Sequence, residues 1–235
     1  MLRDEVTIER VEEEPRPRTR KPGRRRDRTV VDVAHVAFDG VPDETAAKLQ
    51  RRLGEAAGAF QAERFADAER LLASIERLAP GQAEVHELRG LTHYRLGRWN
   101  RALADLEAFA AMTGSTEQNP VMADCYRALG RWQDAEEAWR ELRDASPAAD
   151  VVEEGRIVQA GGLADRGRMA EAIRLLERAP APGGEPQVHH LRRWYTLADL
   201  YERAGEVSRA RRIFTEIASA QPDFGDAAER AAAVG

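Results

Sequence analysis

One pattern of residues recurs five times along the chain and governs what it can fold into. In RFADAERLLASIERLAP, GRWNRALADLEAFAAMTG, GRWQDAEEAWRELRDASP, GRMAEAIRLLERAPAPGG and GEVSRARRIFTEIASAQP, a turn leads into a bulky residue, namely Phe65, Trp99, Trp132, Met169 or Val207. Three positions on stands a small residue: Ala68, Ala102, Ala135, Ala172 and Ala210, spaced by 34, 33, 37 and 38. Four further on comes a large apolar one: Leu72, Leu106, Trp139, Leu176 and Phe214. A second register lies twelve residues upstream of the alanines. There the small residues are Ala56, Gly90, Ala123, Ala160 and Ala198, each followed after three by Ala59, His93, Tyr126, Leu163 or Tyr201. Offsets of three and four place residues on one helix face. Each unit therefore reads as two helices joined at Gly97, Gly130, Gly167 or Gly205, a residue type suited to ending a helix. The small residues let the two helices approach, and the bulky ones fill the space beside them.

A period near 34 with this alternation resembles the tetratricopeptide repeat (TPR) over about residues 46–222. Units two, three and five carry the resemblance best, as HYRLGRWNRALADLEAF, CYRALGRWQDAEEAW and WYTLADLYERAGEVSRARRIF, the last with Trp194 and Pro222. Unit one has Glu63 where glycine is usual. Unit four has Gly161 and Gly162 inside its first helix, which should weaken it by about 1 kcal/mol per glycine. Gly114 and Gly184 replace the closing proline in units two and four, and extra residues near 147–152 and 180–187 suggest longer inter-unit loops. The run MTGSTEQNPVMADCYRALGRWQDA further resembles actinobacterial TPR proteins with an Arg-rich N-terminal tail. The scarcity of lysine, with only Lys21 and Lys48, fits the Arg-favouring codons of a high-GC genome.

The expected fold is all-α: a solenoid of about five helix-turn-helix repeats over 43–235, closed by a C-terminal capping helix. Phe224, Ala227, Ala231 and Val234 are the candidates to cover the last hairpin, because a stack leaves an apolar face open at its end. Pro42-Asp43-Glu44-Thr45 is a helix start with Asp43 as N-cap acceptor. Residues 29–42 are a linker or a short extended segment laid on the first hairpin.

Charge divides the chain. Residues 1–14 carry two Arg against six Asp and Glu, and residues 16–28 carry eight basic groups against Asp27. The rest has 26 basic against 34 acidic groups, so an acidic body follows a basic arm. Residues 1–28 hold Pro15, Pro17, Pro22 and Gly23 and few apolar groups, a composition that predicts a disordered arm. Arg16, Arg18, Arg20, Lys21, Arg24, Arg25, Arg26 and Arg28 could neutralise phosphates of RNA or of a ribosome. A solvated tail, or one folded back on the acidic body, is the plainer alternative.

Little in the sequence suggests chemistry. There is no Gly-Lys-Ser/Thr, no G-x-S-x-G, and no second histidine after His86-Glu87, where Gly90 stands instead. His93 reads as an occupant of an aromatic core slot, and Cys125 as a buried structural thiol. Neither a catalytic set, a metal nor another cofactor is expected. No apolar run reaches the roughly 18–20 residues that span a bilayer. The start of the chain has no apolar stretch of secretory type, and a cytoplasmic protein is expected.

The TPR resemblance implies that the first helix of each unit lines a groove for a partner peptide or helix. Helical phase then nominates Glu84, Glu87, Tyr94 and Arg95 in unit two, Asp124, Arg127 and Asp165 in units three and four, and Arg192, Tyr195, Asp199 and Glu202 in unit five. Leu53 and Ala57 stand where a chaperone-tail TPR clamps a carboxylate, which argues against that subtype.

Overall fold

The computed structural model describes residues 33, 36–38 and 40–233. The basic arm and Val234 lie outside the described residues. Eleven helices follow one another among the described residues, and no strand is found there. Five hairpins pair α1 (Asp43–Gln61) with α2 (Phe65–Leu78), α3 (Ala83–Arg95) with α4 (Trp99–Thr113), α5 (Asn119–Ala128) with α6 (Trp132–Ala145), α7 (Ala149–Asp165) with α8 (Met169–Glu177), and α9 (Val188–Arg203) with α10 (Val207–Ala220). A short helix, α11 (Ala227–Ala233), closes the stack.

The hairpin turns share one bonding scheme. Gly97, Gly130, Gly167 and Gly205 have φ between +72° and +80°, the left-handed region that glycine enters without a Cβ penalty. The next residue's N–H then reaches back to the carbonyl of the upstream pattern position: Arg98 to His93 at 2.9 Å, Arg131 to Tyr126 at 2.8 Å, Arg168 to Leu163 at 2.9 Å and Glu206 to Tyr201 at 2.8 Å. Unit one makes the same bond, Arg64 to Ala59 at 2.8 Å, with Glu63 holding φ +59°. The turn geometry is thus demanded by the hairpin, and unit one meets it with a residue that is strained there.

The small residues do the steric work expected of them. A Cβ added at Gly90 would sit 2.6 Å from a Leu106 methyl carbon, and α3 and α4 make the most extensive pairing in the molecule. Ala56, Ala123, Ala160 and Ala198 are likewise buried at that slot. The large residues Leu72, Leu106, Leu176 and Phe214 are buried opposite them. Interior contacts form three successive apolar clusters along the stack, from Val36–Leu91 through Ala102–Ala138 to Ala160–Ala227. Each fully buried Leu or Phe side chain contributes about 1.5–3 kcal/mol.

Both ends are covered. Val36 and Phe38 are buried against α1 with Val33 and Ala46 around them, and the Gln50 side-chain amide donates to the Val33 carbonyl at 2.7 Å. Val33, Val36 and Phe38 thus pack on the first hairpin. At the other end Phe224 and Ala227 are buried in the last cluster, with Ala231 packed against it.

Three local expectations are corrected. Asp43 is the first residue of α1, and Pro42 takes the flanking position, its carbonyl accepting from Thr45 at 2.8 Å and Ala46 at 2.9 Å. Asp43 therefore acts as a first-turn charge toward the helix dipole. The extra residues near 147–152 largely extend the start of α7 and not a loop, while those near 180–187 lengthen the loop after α8 as expected. Buried Arg193 ties that loop down, donating to the Pro180 carbonyl at 3.0 Å and to Glu153 at 3.2 Å. His93 fills its slot as a polar group, with Nδ1 3.0 Å from Asp105 and Nε2 3.4 Å from Glu69. Gly161 lies beside the Arg127 guanidinium, 2.9 Å from where an added Cβ would stand. Cys125 is buried as expected, and burial pushes its thiol up to about 12.

Candidate functional site: the inner face of the first helices

Like helices meet on one side of the stack. α1 touches α3, α3 touches α5, α5 packs on α7 and α7 on α9, and no second helix packs comparably on another second helix. A stack whose members are closer on one side curves toward that side. The first helices therefore line the inner face, and the nominated residues other than Tyr195 lie along a polar seam there.

The seam runs from unit to unit. The Tyr94 hydroxyl on α3 donates to Asp124 on α5 at 2.8 Å. Arg127 on α5 donates to Asp124 at 3.1 Å and, through Nε, to Asp165 at the end of α7 at 2.6 Å. Arg192 on α9 reaches back to Glu154 on α7 at 3.0 Å. Arg95 pairs with Glu63 across the first junction at 3.4 Å, and Glu87 accepts from the Gln118 side chain at 2.7 Å. Glu84 lies near Glu87 on α3, half-buried. Gly161 keeps α7 free of a Cβ where the Arg127 guanidinium lies, so the glycine that lowers helix propensity also admits the link between units three and four.

The C-terminal helix completes the seam. Arg230 on α11 donates to Asp199 at 3.1 Å, bonds Glu202, and donates to the Tyr195 hydroxyl at 3.1 Å. That hydroxyl in turn donates to Asp226 at 2.5 Å. Tyr195 is only 4% exposed, its ring edge-on to Phe214 at 5.5 Å. This corrects its assignment to the groove lining: α10 and the residues around α11 enclose it. Asp199 and Glu202 remain half-buried beneath Arg230.

The electrostatics follow from this pairing. Burial works against the Arg127 charge, but the Asp165 and Asp124 carboxylates outweigh it and raise its pKa. Arg230 is held charged in the same way by Glu202, Tyr195 and Asp199. Burial and the Asp124 carboxylate push the Tyr94 phenol well above its ordinary range, and burial with Asp226 takes Tyr195 up to about 12. Neither phenol ionises near neutral pH. Burial pushes the Glu87 carboxyl up against the pull of Gln118, and repulsion from Glu117 and Glu84 adds to the rise.

The seam contains fixed donors and acceptors, with no pairing of nucleophile and base in it. Among the described residues no group of His, Cys, Asp or Glu is arranged to hold a metal ion. Among them also, no helix is long and apolar enough to cross a membrane.

Glu154, Gln118, Asp226, Arg230 and Gly161 were missed by helical phase, which treats each helix alone. A signal was present. Tyr94 and Asp124 are 30 residues apart, Arg127 and Asp165 are 38, Glu154 and Arg192 are 38, and Asp199 and Arg230 are 31. Complementary polar groups one repeat apart mark first helices that touch.

Comparison with known proteins agrees with the fold. The family model described as Tetratricopeptide repeat matches residues 122–149. Among solved structures, the chain is similar to a thermophilic TPR protein of Thermus thermophilus, with TM-score 0.60, 21% identity, 79% of this chain and 98% of that one covered. It is also similar to the C-terminal part of a TPR repeat-containing protein from Cytophaga hutchinsonii, at TM-score 0.58 and 15% identity over 77% and 69% of the two chains. A third similarity is to the apo form of the quorum sensor NprR from B. thuringiensis, at TM-score 0.61 and 16% identity over 80% and 57%. No curated protein sequence matches. The fold is a TPR-type α-solenoid of five hairpins with a capping helix. Residues 122–149, which run from within α5 through α6 to the start of α7, carry the repeat signature of that family.

Proposed function

We propose that the protein is a non-catalytic scaffold that binds a partner peptide or helix along the inner face of its first helices. One observation carries this reading. Tyr94, Asp124, Arg127 and Asp165 converge over three consecutive first helices at 2.6–3.1 Å; Asp124, Arg127 and Asp165 stand outside the apolar core, and Tyr94 packs its ring against that core while its hydroxyl joins the row. Such a row is rigid before any partner arrives, and a preorganised surface loses little side-chain entropy on binding. Its Tyr and Arg are the side chains most often found to dominate interface energies.

The test uses the full-length chain carrying Glu84→Gln, Glu87→Gln, Arg127→Gln and Asp165→Asn together. Tyr195 is left alone because its substitution would disturb the cap. Affinity capture from the parent cells, read by mass spectrometry after nuclease treatment, should lose the stoichiometric partner at least ten-fold, with helical circular dichroism unchanged. Undiminished capture by a folded variant overturns the proposal. A captured set that vanishes with nuclease, and with deletion of residues 1–28, would instead favour RNA or ribosome binding through Arg16–Arg28, with steep salt dependence.

A further inference from the structure

We infer that the chain's own basic segment, residues 16–28, docks in cis on the inner face of units two to four and competes there with a partner. The inference rests on the inner face being the binding surface. Three observations lead to it.

The first is charge. Over α3 to α7 the inner face gathers Glu84, Glu87, Glu117, Asp124 and Asp165; Arg127 lies between two of these carboxylates and Arg95 on α3 is paired with Glu63 of unit one, so the basic groups there offset only part of the acidic charge. Glu87 is half-buried, and its hydrogen-bond donor is the neutral amide of Gln118. The segment RPRTRKPGRRRDR supplies eight basic groups against one Asp, seven of them Arg. Guanidinium pairs with carboxylate in a planar two-bond fork, so Arg is the side chain suited to such a row.

The second is reach. The chain is anchored where the Gln50 amide holds the Val33 carbonyl, on α1, the first helix of the stack. Arg28 precedes Val33 by five residues, which span at most about 17 Å. Packed helices are spaced by about 8–10 Å, so Arg28 can stand over α3. Thirteen residues in an extended, Pro-compatible form cover about 40 Å, enough to run on past α5 to α7.

The third is the placement of the opposite end. The inner side of unit five is already engaged by this chain, through Asp226 and Arg230 on Tyr195, Asp199 and Glu202. There one Arg from a following segment answers two carboxylates on a first helix. The same chemistry at units two to four would be answered by the segment that precedes the stack.

The chain contains two lysines, and this makes the test specific. Zero-length carbodiimide coupling of the full-length protein at low ionic strength, followed by peptide mapping, joins a lysine only to a carboxylate it touches. Lys48 lies 2.6 Å from Glu44 and is the internal standard. The expected result is an amide between Lys21 and Glu84, Glu87, Glu117 or Asp124 in the monomer. It should fall at least five-fold in 1 M salt and in the Glu84→Gln, Glu87→Gln, Glu117→Gln variant, with the Lys48–Glu44 product unchanged. The inference is overturned if the standard forms and Lys21 joins none of these residues. It is overturned equally if Lys21 joins them only in cross-linked dimers, or couples as readily to second-helix carboxylates. Because the readout is contact within one chain, failure here leaves partner capture by the inner face standing. Failure of that capture with Lys21 coupling intact would show a face reserved for the arm.

Discussion

Units two and five share a backbone and differ in what fills it. His93 and Tyr201 stand at one slot of the repeat, and Asp105 and Ile213 at another. In unit five the pair lies among Phe214, Ile217 and Tyr195, an apolar and aromatic interior. In unit two Asp105, 4% exposed, is a polar hub. It accepts from Arg89 Nε at 2.8 Å and faces His93 Nδ1 at 3.0 Å and His86 Nδ1 at 3.2 Å. Arg89 and His93 continue to Glu76 and Glu69 on α2, so the hub binds unit one to unit two. The same helical hairpin thus accepts two kinds of interior. An apolar one is held by area, which degrades gradually when atoms are removed. A polar one is held by direction and charge, and losing its centre takes the buried acceptor from the donors around it.

The largest test of that contrast is to remove each centre. Asp105→Ala should cost about 3–5 kcal/mol, because Arg89 and two histidines lose their buried acceptor. Ile213→Ala should cost about 2–4 kcal/mol as a cavity. Urea unfolding at pH 7 ranks them, and an Asp105 variant no less stable than the Ile213 variant would break the comparison.

Acid separates the two interiors further. Burial opposes the Asp105 charge, yet the bonds from His93 and Arg89 hold its carboxyl down to about 2. A carboxyl depressed on folding stabilises the native state above its unfolded pKa of about 4 and loses that contribution as pH falls through the folded value. Stability should therefore drop between about pH 4 and pH 2 in the wild type and in Ile213→Ala, and drop less steeply in Asp105→Ala. Equilibrium unfolding at several pH values in that window reads this out.

A smaller test uses the small-residue slot. Gly90→Ala should destabilise by about 1–2 kcal/mol, because the new methyl meets Leu106 at 2.6 Å and overpacking outweighs the gain in helix propensity. Ala198→Gly, at the same slot in unit five, should also destabilise, by about 1 kcal/mol through propensity. Thermal unfolding of both variants checks that each unit has settled on its own residue. Smallest is the unit-one turn. Glu63→Gly should stabilise by about 0.5 kcal/mol, since relief of a positive φ exceeds the loss of an exposed pair with Arg95.

The fold was readable from the chain because its signals are local. The spacing of Ala68, Ala102, Ala135, Ala172 and Ala210 places small residues once per hairpin, and Gly97, Gly130, Gly167 and Gly205 mark where each hairpin turns. The inner face was readable in part. Phase along a helix tells which side a residue takes, and it brought Tyr94, Asp124, Arg127 and Asp165 to one surface. It placed Tyr195 on that surface too, because it says nothing of what a later segment will cover.

What the sequence by itself determined is the repeat, the hairpin and the order of helices, since bonds between residues three and four apart need no distant partner. Tertiary structure alone decided that Asp105 gathers two histidines and an arginine, that Gly161 makes room for Arg127, and that Arg230 closes over Tyr195. Those outcomes depend on how closely neighbouring units pack. That distance is set jointly by all the side chains between them, so no single stretch of the chain encodes it.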